Sequence, residues 1–118
     1  MTTKMSPAIY HICRRDEWEQ ARDKGIYAGS SQDQADGFIH FSARDQVEAS
    51  AAKHRAGQDG LVLLTVDPAV LGKALKWESS RGGALFPHLY GALPQGAVIA
   101  VHDLPLAASG RHVFSPDY

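Results

Sequence analysis

Three histidines of the 118-residue chain stand in similar settings: His11 in Tyr10-His11-Ile12, His40 in Ile39-His40-Phe41, and His88 in Pro87-His88-Leu89. Each interrupts a run of large apolar residues of the kind strands favour. Neighbours on a strand point to opposite faces, so His11 turns away from Tyr10 and Ile12, and His40 away from Ile39 and Phe41. Two readings follow. Either each imidazole is a hydrogen-bonded core residue, or the three line one polar cleft and exchange protons near neutral pH. Glu78 is the carboxylate that could join them. It falls at the end of a predicted strand, before Gly82-Gly83, where it would orient a sugar hydroxyl or act as a general base. Its plainer role is to pair with Arg81 or Lys76.

The remaining candidates are weaker. His54, His102 and His112 read as solvated, and His54 near a helix C-terminus suits the exposed carbonyls there. The three strand histidines lack the i,i+4 spacing of a zinc site, so no metal is expected. Cys13 has Arg14 and Arg15 beside it, which could lower a thiol pKa, but a small half-buried strand-end residue is the simpler reading. A single cysteine excludes an intrachain disulfide. The chain has no Gly-rich phosphate loop, no Gly-x-Gly-x-x-Gly, no His-Glu-x-x-His and no Gly-x-Ser-x-Gly.

These residues need elements to position them. Residues 8–12 read as a strand. Asp16 then caps a helix with Glu19 answering three residues on, Trp18 and Ala21 facing inward, and Gly25 ending it. Residues 29–37 are polar and aperiodic, so they read as a loop. Residues 38–42 form a second strand, and Ser42 with Asp45 opens an Ala-rich helix to about Gly57. Leu61–Val66 is apolar throughout, like a strand covered on both faces. Asp67-Pro68 caps a short turn that Gly72 ends. Leu75 and Trp77 alternate with Lys76 and Glu78 as a half-buried strand, and Arg81-Gly82-Gly83 turns into 86–91. A last strand, 98–102, precedes an irregular tail.

Together these elements predict one α+β domain over residues 1–118. Twelve Lys+Arg against 13 Asp+Glu, a formal net charge of -1, exclude a broadly basic nucleic-acid surface. The polar start predicts no secretory signal, no apolar run is long enough to cross a membrane, and a cytoplasmic location follows.

Tyr10-His11-Ile12, Trp18, Gly25 with Tyr27, Gly37 to Ser42, Gln46, Leu61–Asp67, Trp77-Glu78 and Phe86 to Gly91 resemble the family catalogued as domain of unknown function 952. The resemblance spans residues 8 to about 101. More distantly, the two histidine strands, the Ala-rich helix ending near Lys53-His54-Arg55 and the Leu61–Asp67 strand are similar to the RNA 2'-phosphotransferases of the ADP-ribosyltransferase fold. That likeness implies a split, antiparallel-rich sheet with two main helices, and NAD, ADP-ribose or a related sugar nucleotide as ligand. For transfer of ADP-ribose it implies that His11 holds ribose hydroxyls and that His40 sits beside the leaving group; the third position falls either to Glu78, facing the oxocarbenium-like sugar, or to the Phe86–His88 segment. His88, Tyr90, Tyr27 and Ser42 would line the ligand. Two departures matter: His88 stands where the phosphotransferases have a short apolar strand, and their basic N-terminal region has no counterpart. RNA is therefore not the expected substrate. Two alternatives stay open, a non-catalytic module binding a peptide or small metabolite, and a structural protein whose histidines satisfy one another. The oligomeric state is not legible.

Overall fold

The structure, a computed structural model, describes residues 7–79 and 83–118. The polar start and the expected Arg81-Gly82-Gly83 turn therefore fall, wholly or in part, outside the described residues. In chain order the elements are β1 (Ile9–Arg14), α1 (Arg15–Lys24), β2 (Ile26–Tyr27), α2 (Ser31–Asp36), β3 (Ile39–His40) and α3 (Val47–His54). There follow β4 (Leu61–Val66), β5 (Leu75–Ser79), β6 (Leu85–Leu89), β7 (Leu93–Pro94) and β8 (Val98–Leu104). This is an α+β chain, and every strand pairing is antiparallel.

The strands form three small sheets ordered β1-β4-β8, β2-β7 and β3-β6-β5. A bridge between Tyr10 and Ser42 ties the first to the third: the two residues exchange backbone N–H···O bonds of 2.8 Å. β4 lies at the centre of its sheet, and all six of its residues are buried. Val62, Leu64 and Val66 join Ile9 and Cys13 in a cluster completed by Trp18 and Ala21 of α1, Phe41 and Leu89. Leu61 and Leu63 turn to the other face, with Tyr10, Val47 of α3 and Leu104, where Phe114 and Tyr118 of the tail pack. The expectation of a strand covered on both faces holds. Each fully buried Leu of this kind stabilises by roughly 1.5–3 kcal/mol.

Several expectations about the elements need correction. Asp16 does not cap α1; Arg14 takes that position without a side-chain bond, and the Asp16 carboxylate accepts from Arg14 and from Glu17 N–H inside the first turn. Negative charge there still suits the helix N-terminus. Gly25 ends α1 at φ 80, as expected. α3 starts at Val47 rather than near Ser42, because Ser42 is spent on the bridge to Tyr10 and the Gln46 side chain ties the intervening turn through Ala43 N–H. Gly72 opens a second short 3-10 turn instead of ending the first, which Asp67 caps through Ala69 N–H.

Two further corrections bear on function. Residues 29–37 are not a loop throughout: α2 is a third helix, and its buried residue is Asp33. In β5, Trp77 is 48% exposed and Glu78 is the partly covered side chain. The hairpin of β5 and β6 runs beyond the core, so the Leu75–Trp77 face is buried only near Leu75, where it meets Leu89.

Candidate functional site

The site begins with a capping box. Ser30 Oγ accepts from Asp33 N–H at 3.2 Å, and Asp33 Oδ2 accepts from Ser30 N–H at 2.8 Å. This reciprocal pair starts α2 and points the Asp33 carboxylate inward, where its side chain is 4% exposed. Gly29 makes room for it. Gly29 has φ +94, and a Cβ there would lie 2.7 Å from Asp33 Cβ and 3.1 Å from Ile39 Cγ1.

Asp33 is the hub. Its Oδ1 accepts from His40 Nδ1 at 2.6 Å and from His40 N–H at 3.2 Å, while its Oδ2 lies 3.7 Å from His11 Nε2. Burial pushes the Asp33 carboxyl up, but the His40 hydrogen bond, the His11 ring and the backbone donors outweigh it and hold the pKa at about 2. The other nitrogen of His40, Nε2, lies 3.0 Å from Asp36 Oδ2 one helical turn on. Held between two carboxylates, His40 has its pKa raised, chiefly by the Asp33 hydrogen bond. Its side chain remains 41% exposed.

His11 sits beneath, only 3% exposed. Its Nδ1 bonds the His40 carbonyl at 2.5 Å, and a carbonyl only accepts, so Nδ1 carries the proton. Nε2 then accepts from Tyr27 O–H at 2.9 Å. Burial pushes the His11 pKa down, against the pull of Asp33. Both ring nitrogens are engaged inside the core, so His11 positions the backbone of His40. Tyr27 is likewise buried beside it, and Ser42 turns elsewhere, its Oγ donating to Ser50 Oγ. Neither reaches the outer imidazoles.

The outer part of the site comes from β3, β5 and β6. His40 pairs directly with His88 across β3 and β6, and His88 with Lys76 across β6 and β5, so the three share one face. Phe38 lies among them. Its ring stacks on His88 at 4.1 Å and 26°, and meets His40 at 4.6 Å and Tyr90 at 5.3 Å. Glu78 Oε1 accepts from His88 Nδ1 at 2.8 Å and from Tyr90 O–H at 2.7 Å. These two bonds, Tyr90 foremost, lower the Glu78 pKa. Glu78 thus pairs with His88 and Tyr90, and Lys76 acts on it through its charge, while the alternative partner Arg81 lies outside the described residues.

His11, His40, His88, Glu78 and Tyr90 therefore belong to one connected assembly, layered from core to surface. Sequence reasoning missed Asp33, its central anion, and Phe38, its aromatic floor. The Ser30-x-x-Asp33 spacing was the available signal for the first. Cys13 is buried, and burial pushes its thiol up to about 12, consistent with a structural role. His102 and His112 are half-buried, not solvated, and His112 Nε2 donates to the Gln58 carbonyl at 2.8 Å. His54 is exposed. Among the described residues, no group of three or more His, Cys, Asp or Glu is arranged to hold a metal ion, and no helix is long and apolar enough to cross a membrane. Clefts of about 650 and 440 Å³ lie elsewhere, beside Arg14 and Gln58 and beside Ala52 and His112.

The sequence profile of the family described as protein of unknown function (DUF952) matches residues 12–101. The chain belongs to that family. The crystal structure of protein CC0527 from Caulobacter crescentus is similar at a TM-score of 0.86 and 50% identity, covering 90% of this chain and 93% of that one. The solution NMR structure of the same bacterial protein gives a TM-score of 0.79 at 51% identity, covering 88% of this chain and 90% of that one. No curated protein matches the chain.

Proposed function

We propose that this member of the family binds a nucleotide of the NAD class, with its nicotinamide-ribose end against Phe38, His40, His88 and Tyr90. The observation that carries the reading is Phe38 at the centre of three rings, with the Glu78 carboxylate on their border. Aromatic faces attract a planar cation, and the nicotinamide ring of oxidised NAD is one. Glu78 and Asp36 add negative charge beside that ring, where they also suit ribose hydroxyls. The ammonium of Lys76, 5.4 Å from the Tyr90 ring, is available to the phosphates. The likeness of the two histidine strands to the ADP-ribosyltransferase fold points to the same ligand class.

The test is a titration of uniformly 15N-labelled protein with oxidised NAD and, separately, with ADP-ribose, each to millimolar concentration. The expected result is a saturable shift of the His40 and His88 imidazole resonances, larger for NAD because only it carries the cationic ring. His11 should move little. Unchanged His40 and His88 resonances at 5–10 times ordinary millimolar affinity, about 10 mM ligand, would end the proposal.

A further inference from the structure

We infer that His88 is a general base for attack on the bound nucleotide's sugar, oriented by Glu78 and opposed by the cation of His40. The inference deepens the NAD-class reading and rests on it. It starts from a tautomer. An ionised carboxylate only accepts hydrogen bonds, so the 2.8 Å contact from His88 Nδ1 to Glu78 Oε1 puts the His88 proton on Nδ1. Nε2 is left with its lone pair. That atom has no hydrogen-bond partner among the described residues. It is also not sealed: the described side-chain nitrogens and oxygens that are both buried and unpartnered are Thr65 Oγ1, His102 Nδ1 and His112 Nδ1. A ring that is largely covered thus offers one bare, reachable basic nitrogen.

Its surroundings hold it in that form. Phe38 stacks on the ring plane at 4.1 Å, which fixes its tilt, and Tyr90 O–H donates to the same Glu78 oxygen, which fixes the carboxylate. The charged groups that face His88 are Glu78 and Lys76 from β5 and His40 from β3, the last with Asp33 and Asp36 behind it. His40 lies 5.8 Å away edge-on, with both nitrogens committed to those carboxylates. His40 therefore has no lone pair to offer, and the two imidazoles divide the work as cation and base.

The reaction this equips is hydrolysis of the nicotinamide–ribose bond. Water gives its proton to His88 Nε2 as its oxygen bonds to ribose C1′. The C1′–N bond breaks with its electron pair passing to the nicotinamide nitrogen, which cancels that ring's positive charge. The products are ADP-ribose and neutral nicotinamide, and the proton on His88 is then released to solvent. The Glu78 carboxylate, bonded to His88, is the anion available to the positive charge that grows on the sugar. His88 acts on the water, and Glu78 is the positioning residue that sets its tautomer.

Two measurements test this. In the free protein, 15N shifts and couplings of the His88 ring should report the Nδ1–H tautomer, and Glu78→Ala should return the ring toward Nε2–H. An Nε2–H tautomer in the wild-type protein overturns the inference. Nicotinamide release from NAD is then followed by chromatography for wild type and His88→Gln. The expected outcome is release by wild type and a fall in kcat of at least about 100-fold in His88→Gln, the usual range for a lost general base, with KM within about threefold. Equal rates overturn the inference. So does NAD binding, seen in the imidazole titration, without release by wild type, and in that case the binding reading survives. Absence of any binding defeats both.

Discussion

Replacing Asp33 with Asn keeps the shape of the hub and removes its charge. The cost follows from the geometry. A carboxyl held at about 2 in the folded protein and near 3.8 when unfolded stabilises the native state by about 2 kcal/mol at neutral pH, at 1.36 kcal/mol per pKa unit. The amide also meets two sets of donors, Ser30 N–H on one side and His40 on the other, so one donor loses its acceptor. A buried unsatisfied donor costs a further ~1–3 kcal/mol. Urea unfolding at pH 7 should therefore show Asp33→Asn destabilised by about 3–5 kcal/mol. The charge part has a pH signature. Because the folded pKa is depressed, its contribution is complete above about 4 and is lost as pH falls through 2, so the gap between variant and wild type should narrow over that interval. His40 supplies a second sign. Its pKa is raised by Asp33, so its own contribution is complete below the unfolded value near 6.5 and disappears as pH rises through the folded value. In Asp33→Asn the His40 titration should move down toward 6.5. A loss below about 0.5 kcal/mol at pH 7, with His40 titrating as in the wild type, would refute the account of Asp33 as the hub.

Other outcomes follow from single features. Gly29→Ala puts a methyl 2.7 Å from Asp33 Cβ at φ +94, so it should cost at least about 2 kcal/mol in urea unfolding and weaken the His40 ring resonance signature of the Asp33 bond. The Cys13 thiol, pushed up to about 12 by burial, should ignore an aromatic disulfide reagent at pH 8 in the native protein and react at once in denaturant. Leu63→Ala should lower stability in urea unfolding by about 2–5 kcal/mol, since that side chain is sealed.

The parts of the fold legible in the sequence were those with one dominant signal. β4 declared itself by an unbroken apolar run, α1 by Trp18, Ala21 and Gly25, and the histidine strands by the apolar residues around each ring. The site was half legible for a related reason. His40, His88 and Glu78 could be picked out because an imidazole or carboxylate within an apolar strand is conspicuous. Asp33 was hidden because α2 has no apolar face: its one buried residue is a carboxylate, so hydrophobic periodicity is silent there. The strand alternation of β5 was legible, but its orientation was not, since the hairpin leaves the core and Trp77 with it. The burial of His11 was not legible because a strand pattern gives the face of a residue and not its depth.

The pairing of β1 with β4, from Ile9↔Val66 to Arg14↔Leu61, encloses residues 15–60 as one long excursion of the chain. Closing such a loop carries an entropic cost that grows slowly with its length, and it has to be met before the ladder returns any stability. α2, β3 and the Asp33–His40 pair all lie within that excursion, and their only strand partners, in β6 and at Tyr10, come from outside it. The segment that holds Asp33, Asp36 and His40 is thus held by docking against β6 and Tyr10, and not by a central strand of its own. Amides of residues 30–42 should exchange through a lower-energy opening than those of β4, so that the Asp33–His40 pair can part while the central ladder stays closed.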